Sequence, residues 1–377
     1  MLLTSFDIEY RFNFNKGDKH SKKYYTRTTL SRYIFSKYNA LKQVAKWTKC
    51  LPTVVPHYAI KCNNDPQLLS WLFRAGVNFD CASPTEMQQA LGAGASPKQI
   101  IYAHPCKSSY DICMARELGI RTTVIDSPEE AIKLGKTGWT GSTLVRLMVP
   151  DSGSKQPFSK KFGAPLSWVP EIIDVLTNYG IPLAGWSFHV GSMCKEPRQF
   201  SRAVELCAEA HALNPDKSPT IVDIGGGFVP DESFEIAAAE IRSSFRHLPL
   251  STTWIAEPGR FLATPVITLE VPVIGVKRRE GGGFRYTVDE SVYGAFSNIP
   301  FDGQKPIYEL IDPVDRRPLV NATLFGRTCD SADCLEEDIE IPELRIGDWL
   351  RVSNMGAYTL VSSSEFNGFP LAKRIYE

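Results

Sequence analysis

A single lysine, Lys61, closes the apolar, strand-like run from Val54 to Ile60. An amine placed there, partly desolvated at the mouth of a barrel, is a usable nucleophile toward an aldehyde, so Lys61 reads as a Schiff-base lysine. Farther along, Gly225-Gly226-Gly227 follows the apolar run Thr220–Ile224. Backbone without Cβ atoms lets amides approach a phosphate, and Arg260, three positions after Glu257, adds a cation for the same anion. Singly, each feature has a plainer reading: a solvated surface lysine, a tight turn, a surface salt bridge. Their occurrence in order, with further motifs between them, points to one site.

These residues need elements that bring them together. From about Ser36 to Pro265, short apolar runs alternate with helix-length amphipathic stretches, the pattern of repeated β-α units. The strand candidates are Val54–Ile60, Asn78–Cys81, Ile100–Ala103, Thr122–Ile125, Leu144–Met148, Gly185–Val190, Thr220–Ile224 and Thr253–Ala256. Helices are expected over Pro84–Leu91, Ser108–Leu118, Pro128–Gly135 and Pro197–His211. Eight strands with intervening helices imply a closed β/α (TIM-like) barrel, with the motif residues at the strand C-terminal ends where such barrels build their sites. After Pro265 the texture becomes β-rich, over Val266–Val276, Phe284–Val288, Leu319–Gly326 and Trp349–Val352, broken by turns such as Glu280-Gly281-Gly282-Gly283. The fold class is therefore α/β, a barrel over 36–265 followed by a β-structured domain over 266–377.

Composition narrows the partners. A chain of 377 residues exceeds what one hydrophobic core usually serves, and 43% apolar residues suffice for two. Lys+Arg 42 balances Asp+Glu 42, which removes any general electrostatic case for nucleic acid or an acidic membrane surface. Nine scattered cysteines match the reduced thiols of a cytoplasmic protein, and the close pair Cys329 and Cys334 lacks the second cluster a metal site needs. The first ten residues lack a basic start and a sustained apolar core, so no secretory signal is expected, and no run reaches membrane-spanning length. The basic, Ser/Thr-containing stretch Lys16–Arg32 is preceded by acidic residues and leads into an expected helix, which argues against a targeting peptide.

Eight ordered motifs carry a family resemblance: Tyr58-Ala59-Ile60-Lys61, Phe79-Asp80-Cys81-Ala82-Ser83, Ser187-Phe188-His189-Val190-Gly191-Ser192, Asp223-Ile224-Gly225-Gly226-Gly227-Phe228, Glu257-Pro258-Gly259-Arg260, Tyr293-Gly294-Ala295-Phe296, Gly326-Arg327-Thr328-Cys329-Asp330 and Asn354-Met355-Gly356-Ala357-Tyr358-Thr359. From about residue 25 onward the chain closely resembles the eukaryotic-type ornithine decarboxylases, fold-type III enzymes that use pyridoxal 5'-phosphate (PLP). The resemblance implies that the first 35 residues add strands to the β domain, making it discontinuous around the barrel. It implies that Lys61 holds the cofactor, that Ser192, Gly259 and Tyr358 join the glycines and Arg260 at its phosphate, and that His189 stacks on its ring. Glu257 would face the ring nitrogen, keeping it protonated so that the ring acts as an electron sink. Asp80, Glu86 and Arg146 match charged residues near the lysine, although Glu86 could also serve only the helix beginning near Pro84.

For the substrate, the resemblance assigns Asp302 and Asp330 to the distal amine, with Phe301, Tyr293 and Phe366 beside them. Two carboxylates facing an apolar side chain would leave charge buried without a partner, costing roughly 3–5 kcal/mol, so neutral amino acids would be rejected. Cys329 matches the cysteine that returns a proton to the α-carbon, a role its neighbour Asp330 suits better than that of a thiolate nucleophile. The same loop is expected to reach into the barrel of a second subunit in a homodimer with shared sites, bridged by Lys161 and Asp333. The chain departs from the family at Phe301-Asp302-Gly303, where Tyr-Asp-His is usual, and at Gly326-Arg327-Thr328-Cys329, where Gly-Pro-Thr-Cys is usual. Gly303 removes an imidazole beside the specificity carboxylate. One methylene is worth only about 1–3 kcal/mol of discrimination, so decarboxylation of lysine, instead of or besides ornithine, stands as the alternative. An inactive regulator of polyamine synthesis is disfavoured because Lys61, Asp80, Glu257, Cys329 and Asp330 are all present. A racemase is disfavoured because Cys329-Asp330 occupies the loop where such racemases carry a tyrosine base.

Overall fold

The computed structural model describes residues 31–214, 221–311 and 316–377. Eight parallel strands, Val54–Ala59, Asn78–Cys81, Ile100–Tyr102, Thr122–Ile125, Ser142–Arg146, Leu183–Ser187, Ile221–Asp223 and Thr253–Ala256, pair in chain order and close when the last meets the first. They are short and mostly buried because both faces are covered. Ile101, Val124, Leu144 and Ile255 form a separate cluster of their own, while alternate positions such as Phe79, Val145 and Trp186 belong to the larger core.

The helices start where the sequence supplies caps. Asp65-Pro66, Ser83-Pro84 and Ser127-Pro128 each place a side-chain acceptor at the N-cap and a proline in the first turn, the last two only two residues beyond the preceding strand. Connections this tight hold the strand ends in a common plane at the mouth. The expected strand Gly185–Val190 stops at Ser187: the Phe188 amide makes the last ladder bond, to the Asp223 carbonyl, and the chain leaves the sheet at His189.

Beyond the barrel, Ile267–Arg278 anchors an eight-stranded mixed sheet, pairing antiparallel with Arg32–Phe35, Phe284–Val288 and Trp349–Val352. Arg32–Phe35 also lies parallel to Lys373–Tyr376, so the first and last described strands are neighbours. The basic stretch thus runs into a strand, not a helix; the helix begins at Lys37, capped by Ser36. The other strands expected from residues 1–35 fall outside the described residues. A two-stranded ribbon, Ser154–Gln156 against Ser192–Cys194, stands beside the barrel mouth. No helix among the described residues is long and apolar enough to cross a membrane, and all nine cysteines are free.

Candidate active site

Lys61 lies on the single 3-10 turn Ile60–Cys62 that ends the first barrel strand. Its Nζ is 3.5 Å from Oδ2 of Asp80, at the end of the second strand. The lysine side chain is 46% exposed and Asp80 only 2%, so the amine is reachable while its counter-ion is not. Asp80 first, and then Glu257, raise the Lys61 amine above the ordinary lysine range and outweigh the burial that lowers it. The desolvated amine expected from sequence is thus held as an ammonium in the cofactor-free chain.

On the adjoining strand, Glu257 follows Ala256 at the end of the last strand, which pairs with the first, and burial, with Asp223 and Asp80 adding to it, raises its carboxyl well above the usual range. Burial also pushes Asp223 up to about 6. Arg146 ends the fifth strand, its guanidinium 4.9 Å above the Phe162 ring. Three buried carboxyls, Asp80, Asp223 and Glu257, therefore face two cations, Lys61 and Arg146. The mouth is one positive charge short, a deficit that a protonated nitrogen beside Glu257 would fill.

His189 accepts a hydrogen bond at Nδ1 from the Gly191 amide, 3.0 Å, and burial holds its ring well below the usual histidine value. The ring is neutral with its proton on Nε2, and Phe158 packs on it at 4.7 Å. A Cβ on Gly226 would meet that Nε2 at 2.8 Å and the Glu257 carbonyl at 2.9 Å. Gly225 and Gly227 take φ +61° and +103°, a backbone that side chains rarely adopt. The Gly226 and Gly227 amides donate to no partner among the described residues. Beside them, Arg260 Nη2 donates to Ser192 Oγ at 3.1 Å, its guanidinium lies 4.9 Å over the Tyr358 ring, and Arg260 Nε has no partner. Tyr358 itself holds φ +55°.

Residues 39–264 match the pyridoxal-binding domain of the pyridoxal-dependent decarboxylases. The chain belongs to the pyridoxal-dependent decarboxylases. It is 37% identical over 350 residues to a probable ornithine decarboxylase from Dictyostelium discoideum, an overlap covering 87% of this chain and 75% of that one. A crystal structure of the Paramecium bursaria Chlorella virus arginine decarboxylase bound to agmatine matches with a TM-score of 0.89 at 34% identity, covering 93% of this chain and 96% of that one. A lysine/ornithine decarboxylase complexed with cadaverine from Vibrio vulnificus gives a TM-score of 0.84 at 30% identity, with 92% of each chain covered.

The decarboxylase's own atoms fit PLP. Free amides at Gly226 and Gly227, Ser192 Oγ and the unpartnered Arg260 Nε form a phosphate cradle closed to any Cβ. Lys61 is an accessible amine for an aldehyde, and the charge deficit beside Glu257 suits a pyridinium. Gly259 packs its bare Cα against Cys62 and Ala59, where a Cβ would stand 3.0 and 3.1 Å away, joining the Arg260 turn to the Lys61 turn.

Other expected residues gather elsewhere. The Tyr293 hydroxyl donates to Asp330, the Tyr293 ring stacks on Phe366 at 4.2 Å, and the Cys329 amide donates to Asn367. That hydrogen bond lowers the Asp330 carboxyl below its usual range. The cluster sits on the β domain and, among the described residues, touches none of Lys61, Glu257 or Arg260. Phe301 is 74% exposed. Three of the expected residues have partners within the chain. Asp302 is closed onto Arg260 in a two-pronged ion pair, both contacts 2.7 Å. Asp333 is buried, its carboxylate occupied by the Val292 amide and by the amide and hydroxyl of Thr328, so it braces its own loop instead of offering Lys161 an open partner. Glu86 accepts from the Ala82 amide at 2.6 Å at its helix start and feels the charges of both Lys61 and Asp80. Sequence reasoning assigned no role to Asp223, whose Oδ1 accepts from the Gly225 amide at 2.8 Å; an Asp two residues before a glycine turn was the available signal.

Proposed function

We propose that the protein decarboxylates L-ornithine to putrescine and carbon dioxide, as a cytoplasmic homodimer. The observation that carries this is the accessible Lys61 amine paired with buried Asp80, with Glu257 at the end of the adjoining strand, beside a cradle that only glycine allows. The chemistry PLP supplies when bound is a sink for the electron pair left as the α-carboxylate departs as carbon dioxide. Lys61 would hold the cofactor through its accessible amine, with Asp80 as its counter-ion. Glu257 keeps a cation beside it, neutral His189 presents an uncharged ring, and the cradle neutralises the phosphate. Cys329 gives a proton to the α-carbon.

Asp330, Tyr293 and Phe366 form one cluster on the β domain beside the exposed Cys329, and among the described residues none of their hydrogen bonds or ring contacts is to Lys61, Glu257 or Arg260, which supports their serving a second subunit. A carboxylate kept ionised by a tyrosine hydroxyl suits an ammonium, and the names of the relatives span ornithine, lysine and arginine decarboxylases. Lysine is the second reading, favoured by Gly303, which takes a left-handed turn at φ +59° and leaves no side chain beside Asp302. Purified protein supplied with PLP and one amino acid at a time should release putrescine from ornithine. Inactivity toward ornithine, lysine and arginine alike would remove the decarboxylase reading.

A further inference from the structure

We propose that Arg327 is a positioning residue for the substrate's distal amine: its buried guanidinium fastens the base of the three segments that carry Tyr293, Asp330 and Phe366, and so fixes where the Asp330 carboxylate stands. The inference rests on the decarboxylase reading above and deepens it. At the tip of the cluster the segments meet through Tyr293, whose hydroxyl donates to Asp330 and whose ring stacks on Phe366. These contacts are weakly enclosed, since Phe366 is 41% exposed and the neighbouring Cys329 is exposed too. At the base, the Arg327 side chain is only 6% exposed and reaches both other segments at once. Its Nη1 donates to Asp289 Oδ1 at 3.2 Å, its Nη2 donates to the Pro370 carbonyl at 2.6 Å, and the guanidinium lies 4.9 Å over the Phe369 ring. The Arg327 backbone amide donates to the Glu290 carbonyl at 3.0 Å, and Nη2 stands 3.9 Å from Glu290 Oε1.

Base and tip are rigidly joined. Glu290 folds the turn that bears Tyr293, its Oε1 accepting from the Ser291 and Ala295 amides at 3.0 and 3.1 Å. Phe369 and Pro370 directly follow the 3-10 turn Phe366–Gly368, where Asn367 accepts from the Cys329 amide at 3.2 Å. Asp333 ties the Tyr293 turn to the Asp330 loop through the Val292 and Thr328 amides, whereas Arg327 adds the third segment. The proline usual in the family at this position could supply none of this, having neither an amide hydrogen nor a charge. A planar guanidinium with a carboxylate, a carbonyl and a ring around it has one arrangement that serves all three, so moving any segment costs a buried contact. A carboxylate that must meet the ammonium of a flexible diamino acid depends on such fixing, because a displacement of about 1 Å is enough to lose much of a positioned group's effect.

The test reads substrate affinity apart from cofactor affinity and folding. Cofactor-free wild type, R327M, D330N and R327M/D330N are each titrated with PLP, and the Michaelis constant and turnover number are measured at saturating PLP with the basic amino acid that the wild type decarboxylates. We expect R327M to raise the Michaelis constant about tenfold while PLP affinity stays within about twofold, because the loop moves and the barrel does not. R327K, which keeps a cation and the amide but lacks the fork, should recover part of that loss. In the D330N background, R327M should change the Michaelis constant by less than about twofold, since a residue that acts through Asp330 has no further effect once that charge is gone. A Michaelis constant within about twofold of wild type in R327M, with only turnover or stability lost, overturns the proposal, and so do additive losses in the double variant. If R327M does not fold, D289N takes its place, removing the carboxylate partner but keeping the guanidinium on Phe369 and Pro370. It should raise the Michaelis constant about threefold, and only while Asp330 is present; an unchanged constant overturns the proposal. A wild type that releases no amine from ornithine, lysine or arginine overturns the underlying reading instead, and shows itself before any variant is made.

Discussion

Replacing Asp223 with Asn should change how the cofactor-free protein's stability depends on pH. Asp223 is fully buried, its Oδ2 has no donor while both neighbouring carboxyls are ionised, and one proton shared with Glu257 supplies the missing hydrogen bond. Burial raises its carboxyl from 3.8 to about 6. A raised value in the folded state means a contribution fully present below pH 3.8 and lost as pH rises through about 6, because the unfolded chain releases its proton first. The gap corresponds to on the order of 3 kcal/mol, without discount for solvent because the group is buried. Asn keeps an acceptor for the Gly225 amide and a donor for Glu257 but does not titrate. Urea unfolding of both proteins at pH about 4 and about 7 should therefore show the stability difference moving toward the variant by about 2 kcal/mol as pH rises. PLP, by bringing a cation to Glu257, should shrink that change. A difference that stays constant within about 1 kcal/mol across this range would refute the shared-proton account.

Three further outcomes follow from contacts already described. Gly226→Ala puts a Cβ 2.8 Å from His189 Nε2, so PLP affinity measured by titration should fall by about 1–3 kcal/mol with little change in secondary structure by circular dichroism. Lys61→Ala should abolish the covalent mass gain that the wild type shows after incubation with PLP and borohydride, and noncovalent PLP should dialyse away. Arg327→Ala removes a guanidinium that holds Asp289 at 3.2 Å, caps the Pro370 carbonyl at 2.6 Å and lies 4.9 Å over Phe369. We expect about 3–5 kcal/mol less stability in urea and a lower turnover number at unchanged PLP affinity, since the Cys329–Asp330 loop loses its tie to the C-terminal segment.

The barrel was legible because its information is local. Strands such as Asn78–Cys81 and Thr253–Ala256 occupy the expected residues, each a short apolar run bounded by its own caps and turns. Lys61 and the glycines were legible for the same reason, since a strand end and a missing Cβ are properties of a few consecutive residues. Strand ends were less so: the strand expected over Gly185–Val190 ends at Ser187, where its pairing with Asp223 on the neighbouring strand ends.

Only the closed tertiary structure decided what the charges do. Asp302 lies 42 residues from Arg260, and Asp65 lies 309 from the Arg374 that it pairs with, separations over which no periodicity speaks. Asp333 accepts from the Val292 amide and from the amide and hydroxyl of Thr328, contacts that no spacing along the chain announces. The sequence by itself determined which chemical groups stand at the barrel mouth. Which of them face one another, and hence which are protonated, paired or free for a ligand, depends on distances of a few ångströms across the mouth, because charge interactions fall off with separation in space and not along the chain.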